Sequence, residues 1–179
     1  MGIFLVIVLA AAFAIHVFHR QPGEFRVTRT ALLHADPETV FAYLNDLEKW
    51  QTWSPWVKLD PEAKRSYSPE AKAGPGATMS WRGRKVGCGV ITILDSQPVT
   101  HVRLRLEFHR FVNIVNTVEF HLAAERTGTL VTWSVYRPFS FAGKIMNMFV
   151  DYDKTFGRLY ETGLANLNAL LHTNTREAA

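Results

Sequence analysis

The sequence predicts an α+β fold: a curved antiparallel sheet of six to seven strands wrapped around a long C-terminal helix. Three observations carry this expectation. First, the stretch Phe141 to Leu171 places Ile145, Phe149, Tyr152, Phe156, Leu159, Gly163, Leu167 and Leu170 at steps of three and four, one face of an α-helix. A helix of about 30 residues spans roughly 45 Å, far beyond the ~11-residue average, and its apolar face needs an equally long surface to bury against. Second, short segments between residues 78 and 136 alternate apolar and polar side chains, as strands with one buried and one wet face do. Third, those strands follow one another through short turns while helical signals cluster at the two ends, which favours antiparallel pairing and an α+β arrangement.

The first element is an uncharged apolar run, Ile3 to Phe18. As a helix it would be about 24 Å long, close to the lower limit for a membrane span once Met1 and Gly2 are added. It reads as an N-terminal hydrophobic helix that anchors the chain in a membrane. A cleaved signal peptide is the alternative, with Ala12-Phe13-Ala14 as its cleavage site, but no Lys or Arg precedes the core. A buried domain helix is a third reading. Arg20, Arg26 and Arg29 follow the run, so the positive-inside rule leans toward a cytoplasmic domain on a single-pass anchor in the cell membrane. The expected organisation is an anchor at 1–20, a short linker at 21–24 around Pro22-Gly23, one domain at 25–172, and a disordered tail at 173–179.

From Glu24 to Leu33 the alternation of Phe25 and Val27 with Arg26 and Thr28 predicts a strand. Asp36-Pro37-Glu38 opens a helix with an N-cap, a proline at the first helical position and an acid in the first turn. Val40, Phe41 and Leu44 give it an inward face. A second short helical or turn segment, Asp46 to Trp53, stops at Ser54-Pro55, because the residue before proline avoids the helical region. Three of the five tryptophans, Trp50, Trp53 and Trp56, crowd this turn. They read as a hydrophobic plug where two short helices meet the sheet, or as a rim at the mouth of a pocket or at the membrane surface, where indole offers an apolar body and a polar N–H. A short strand is expected at Lys64–Tyr67, then a strand with Met79 and Trp81 on one face. Val86 to Leu94 follows, with Gly87 and Gly89 suggesting a bulge or tight curvature. His101 to His109 alternates cleanly, placing Val102, Leu104, Leu106 and Phe108 inward. Asn113 to Leu122 turns Asn116, Val118, Phe120 and Leu122 inward, and Leu130 to Tyr136 does so with Val131, Trp133 and Val135.

Composition sets the outer bounds. At 179 residues with 47% hydrophobic and 20% charged residues, the chain suits one globular domain. Twenty Lys and Arg against 16 Asp and Glu leave a net charge of +4. The basic residues form no run, so a solvated surface is expected and no nucleic-acid partner. Cys88 is the only cysteine, which excludes an intrachain disulfide and a thiolate metal cluster.

Signals for catalysis are sparse. The seven histidines show no H-x-x-x-H or H-E-x-x-H spacing, and they read as surface residues rather than metal ligands. No G-x-S-x-G elbow surrounds a serine, and Gly87-Cys88-Gly89 sits within a strand pattern rather than opening a helix, so it is no phosphate loop. Asp151 and Asp153 lie two apart on the helix and point to different faces. What remains is polar groups on apolar inner faces, Asn116 in the sheet and Tyr152 on the helix with Asp153 and Arg158 near that face, each of which either pairs with another of them or orients a ligand.

Four stretches carry a family resemblance: EFRVTRTALLHADPETVFAYLNDLEKWQTWSPW, GCGVITILDSQP, NTVEFHLAAERTGTLVTWSV and MFVDYDKTFGRLYETGLANLNAL. Together they cover nearly all of residues 24–172. The chain resembles the SRPBCC superfamily, also called the START/Bet v 1-like or helix-grip fold, in its polyketide cyclase/dehydrase and lipid-transport branch of bacterial membrane-anchored type. The resemblance implies a deep apolar cavity between sheet and terminal helix; it implies no shared catalytic set and no cofactor. The expected lining is Trp81, Ile91, Ile93, Leu104, Leu106, Asn116, Val118, Phe120 and Trp133 from the sheet. The helix is expected to add Phe149, Tyr152, Phe156, Leu159 and Gly163, with Trp50, Trp53 and Trp56 at the rim. The expected role is binding of a hydrophobic small molecule or lipid, with membrane attachment through residues 3–18. A cyclase-like enzyme and a non-catalytic interaction module are the alternatives.

Overall fold

The computed structural model describes residues 22–109, 113–147 and 149–177, together with Phe4, His16 and Arg20. Most of the expected membrane anchor therefore lies outside the described residues. Among the described residues, no helix is long and apolar enough to cross a membrane.

The chain opens with β1 (Glu24–Leu33), followed by three short helices, α1 (Pro37–Leu44), α2 (Trp50–Trp53) and α3 (Pro55–Leu59). Then come β2 (Lys64–Tyr67), β3 (Thr78–Arg82), β4 (Cys88–Gln97), β5 (His101–His109), β6 (Asn113–Glu125) and β7 (Gly128–Pro138). Two helices close it, α4 (Phe141–Asn147) and α5 (Tyr152–Glu177). The seven strands form one antiparallel sheet in the order β1-β7-β6-β5-β4-β3-β2. Only the β1–β7 contact breaks sequence order; threonine and serine hydroxyls reinforce it, with Thr28 and Ser134 3.0 Å apart and Thr30 and Thr132 3.1 Å apart.

Local chemistry explains the element ends. Asp36 caps α1 by accepting from the Thr39 N–H at 2.7 Å, and Pro37 supplies the first helical residue. The irregularity in β4 falls between Ile93 and Asp95, not at Gly87 or Gly89. Gly87 instead turns the β3–β4 hairpin with a positive φ of 69°.

The terminal helix is not continuous. Where periodicity predicts one helix from Phe141 to Leu171, the chain breaks between α4 and α5. Asp151 caps the second piece, its side chain accepting from the Lys154 N–H at 2.9 Å. The break resets the helical phase, so a face extrapolated from Ile145 and Phe149 arrives rotated. Among the residues of α5 whose side chains are described, those buried are Gly157, Tyr160, Gly163, Leu164, Leu167 and Leu171. Removing each of these leucine side chains from water contributes about 1.5–3 kcal/mol, an upper estimate because unfolded chains already bury some apolar surface. α5 also continues to Glu177, through the first part of the segment expected to form a tail.

The core lies between α5, the short helices and the inner sheet face. Val27, Ile93, Leu104, Phe120 and Val131 are fully buried there, beneath Val40, Leu44 and Leu47 from the helical side.

Candidate functional site: an apolar cavity under the tryptophan turn

Six aromatic rings fill the centre of the helix–sheet interface. Trp50, Trp53 and Phe120 pack edge-on or tilted, with centroids 5.2–6.4 Å apart. Trp133 touches Trp53 and Trp56, at 5.7 and 5.9 Å, and stacks on Tyr160 at 4.6 Å. Such offset and edge-to-face pairs add about 0.5–1.5 kcal/mol each beyond area burial. Two hydrogen bonds fix the tryptophan turn. The Trp50 indole donates to the Leu44 carbonyl at 2.9 Å, and the Asn166 side-chain amide of α5 donates to the Trp53 carbonyl at 3.0 Å.

Beside this cluster is a cavity of about 90 Å³. α2 and α3 with the residue between them supply Trp50, Gln51, Ser54, Trp56 and Val57; the sheet supplies Arg65, Met79, Trp81, Ile91, Leu106, Phe108, Val118, Trp133 and Val135. Val86 comes from the β3–β4 turn, and Tyr160 is the sole member from α5 among the described residues. The cavity thus lies mainly under the tryptophan turn rather than along the terminal helix.

The glycines of α5 have a different effect from the loosening expected of them. A methyl group on Gly163 would meet the Trp133 ring at 2.9 Å and Pro55 at 3.1 Å, and one on Gly157 would run into the Arg29 guanidinium. They permit close approach and leave no extra space. On β4, Gly89 does the same for the Trp81 ring.

The expected lining residues divide into three groups. Trp81, Ile91, Leu106, Val118 and Trp133 line the cavity, as do Trp50 and Trp56 of the expected rim. Ile93, Leu104, Phe120 and Trp53 are buried in the packed core instead, and Asn116 is buried in β6 without reaching the lining. Gly163 backs the Trp133 ring, while Phe156 and Leu159 are half-buried at the flank of α5. Phe149 is 83% exposed, because it lies in the break before α5. Together with Tyr152 it borders a separate groove of about 420 Å³ shared with Phe25, Arg26 and Phe139. Tyr152 therefore cannot pin a ligand in the cavity; its ring stands edge-on to Phe25 at 5.3 Å.

Residues missed by periodicity include Met79, Phe108, Val135, Arg65, Gln51 and Tyr160. The first three lie on strand faces already assigned inward, so alternation alone could have supplied them. Tyr160 was lost to the shifted helical phase.

The polar groups at the cavity are few. The indole N–H groups of Trp133, which lines the cavity, and of Trp53 in the adjoining cluster are both buried and have no hydrogen-bond partner. Burial pushes the Tyr160 hydroxyl well above the ordinary phenol range, so it stays protonated at neutral pH. Gln51 donates to the Met79 sulfur at 3.3 Å, and Arg65 donates to the Ala63 and Asp60 carbonyls. Asp60 positions one wall: its carboxylate accepts from the Lys85 N–H at 2.7 Å and the Val86 N–H at 3.3 Å, holding the hairpin turn. The Lys85 N–H is the main reason its carboxyl lies below the usual range. No histidine, cysteine or carboxylate occurs in the lining among the described residues, so the cavity offers no metal-ligand set.

The sequence of residues 24–172 matches the family described as polyketide cyclase / dehydrase and lipid transport. Three solved structures share the fold. A protein of unknown function from Staphylococcus aureus is 11% identical with a TM-score of 0.63, covering 88% of this chain and 98% of its own. A protein from Nitrosomonas europaea is 14% identical with a TM-score of 0.59, covering 84% and 96%. A third, from Chromobacterium violaceum, is 18% identical with a TM-score of 0.58, covering 84% and 98%. At these identities the likeness speaks for the fold alone. Among curated proteins, none matches the sequence.

Proposed function

Because the chain belongs to the polyketide cyclase/dehydrase and lipid-transport family of SRPBCC type, we propose that it binds a compact hydrophobic molecule under the tryptophan turn. The observation that carries this reading is a cavity lined almost wholly by apolar side chains, among them Trp133, whose buried indole N–H lacks a partner. Small-molecule sites have this composition, mostly apolar with a few polar groups that fix orientation.

Size limits the occupant. Ligand pockets usually hold about 300–1,000 Å³, and an engineered cavity of ~150 Å³ takes benzene. At about 90 Å³, this one accepts a small apolar group or the tip of a longer chain. A whole lipid requires the tryptophan turn to move. Trp56 is the natural moving part, being only half-buried and resting on Tyr160 at 5.7 Å.

Binding rather than cyclisation is the better-supported reading. Among the described residues, the ionisable side chains in the lining are Arg65 and Tyr160, and burial pushes the Tyr160 hydroxyl well above the ordinary phenol range, away from the range useful for acid–base work near neutral pH. A cyclase would need an acid or base tuned to that range.

The reading includes attachment to a membrane through residues 3–18. Two features support it beyond the uncharged run itself. The Gly23 carbonyl accepts from the Phe139 N–H at 3.0 Å, which brings the incoming chain beside α4. There Phe141, Ile145, Met146 and Phe149 are exposed together. An exposed apolar cluster of this kind beside the start of β1 suits the lipid interface.

Native mass spectrometry of the full chain released from its own membrane tests the binding reading. The expected spectrum carries a hydrophobic adduct at one per chain. A chain that stays bare under gentle detergent, and takes up none of a panel of fatty acids, quinones and polyketide-like aromatics, contradicts it.

A further inference from the structure

The outer face of the sheet, opposite the cavity, carries a second cluster. His101 on β5 stands directly across from His121 on β6, and Glu119 lies two residues before His121 on the same face. The two imidazole rings are stacked, centroids 4.5 Å apart at 26°. His101 Nε2 lies 4.0 Å from Glu119 Oε1, and His121 Nε2 lies 3.8 Å from Glu119 Oε2. The three ligand atoms are all within 4.8 Å of one another.

The geometry points to a divalent transition-metal site formed by His101, Glu119 and His121. Two nitrogen donors and one carboxylate suit zinc, copper or nickel rather than calcium or magnesium, which prefer all-oxygen shells. A metal with bonds of about 2.0–2.2 Å holds its tetrahedral ligands roughly 3.3 Å apart. The cluster is slightly wider than that. His121 can close it by rotating, since its side chain is 60% exposed.

A second observation marks the site. His101 Nε2, the atom aimed at the shared space, is buried and has no hydrogen-bond partner. Buried polar nitrogens in folded proteins are nearly always paired, and a bound cation would pair this one. Tyr136 on β7 pairs with Thr117, two residues before Glu119, which puts its side chain on the same outer face.

The surrounding charge is mixed. Arg103 stands opposite Glu119 across the ladder and opposes a cation, but Asp95 stands opposite Arg103 on its other side. Three protein ligands leave at least one position open for water or a donor from a partner.

The test is a Zn²⁺ titration of the full chain without an affinity tag, in competition with a chromophoric chelator. One equivalent should bind. His101→Gln, Glu119→Gln and His121→Ala should each weaken it by about tenfold or more, since even outer partners of ligands cost 10–100-fold. His34→Ala serves as the control, because among the described residues His34 and His172 form the other close histidine pair, 4.9 Å apart; it should leave binding unchanged. Ring ¹⁵N shifts of His101 and His121 on adding Zn²⁺ provide a readout independent of variant folding. No uptake of Zn²⁺, loss of binding in the His34 variant alone, or unmoved His101 and His121 resonances would each overturn the proposal.

Discussion

Trp133 of the sheet and Tyr160 of the terminal helix stack with centroids 4.6 Å apart at 29°. This contact joins the two halves of the fold and forms one end of the cavity. Gly163, one turn beyond Tyr160, lets the helix come down onto the same indole. The pair therefore sets both the helix–sheet distance and the size of the space beside it.

Gly163→Ala should destabilise the domain by about 1–3 kcal/mol, the usual effect of overpacking. Its new methyl meets the Trp133 ring and Pro55, and neither is the free end of a flexible side chain. Thermal unfolding should show a fall of roughly 2–4 °C per kcal/mol. An unchanged Tm would mean that the helix does not rest on Trp133 so closely.

Trp133→Phe keeps a ring against Tyr160 and removes the unpartnered indole N–H. If that donor holds a ligand acceptor, affinity for an acceptor-bearing ligand should fall three- to tenfold, matching a hydrogen bond of about 0.5–1.5 kcal/mol. Affinity for a pure hydrocarbon should not fall with it. Equal losses for both ligands would assign Trp133 a packing role alone.

Arg29 clamps β1 to α5, pairing with Asp153 at 2.8 Å and Glu161 at 2.6 Å while its guanidinium lies over Gly157. The Arg29 hydrogen bond holds the Asp153 carboxyl below its ordinary value. A carboxyl with a depressed native pKa contributes stability above its unfolded pKa of about 3.9 and loses it as pH falls through the native one. Both carboxylates are more than half exposed, so solvent screening limits the effect to about 1 kcal/mol. The Tm gap between wild type and Arg29→Met should be widest above about pH 5 and shrink toward pH 3. A gap that widens on acidification would contradict the linkage.

Paired substitutions Phe141→Ser and Phe149→Ser test the proposed lipid contact of α4. Both side chains are largely exposed and support little of the core, so Tm should change by less than about 2 °C. In nanodiscs, the wild-type segment around α4 should be protected from hydrogen exchange by the bilayer and the variant should not. Equal exchange in the two, or in lipid and detergent, would remove α4 from the interface.

Much of the fold was legible in the sequence because local rules and tertiary packing agree there. Asp36-Pro37 opens α1 as its capping chemistry dictates, and Val102 and Leu104 face inward as alternation requires. The phase of the last helix was not legible from apolar periodicity, which runs unbroken through Phe149 and Tyr152. A capping aspartate, Asp151, was the available sign of the break. The cavity was only half legible. Alternation separates inner from outer faces, but it does not tell Leu104, locked in the core, from Leu106, which lines space. That difference depends on where the tryptophan turn lies. The His101–His121 pair depends on strand register, set across the β5–β6 connection by the pairing of His109 with Asn113. Spacing along the chain carries no trace of it.

The claim that the space under the tryptophan turn binds an apolar ligand is tested most directly by titrating a solvatochromic dye against wild type and Val118→Phe. Val118 is buried and lines the cavity, so the larger ring fills the space from within. The expected result is saturable 1:1 binding to wild type and at least a tenfold loss in the variant, with the fold retained by circular dichroism. Equal dye affinity in the two proteins, or no saturable binding to wild type, would contradict the account.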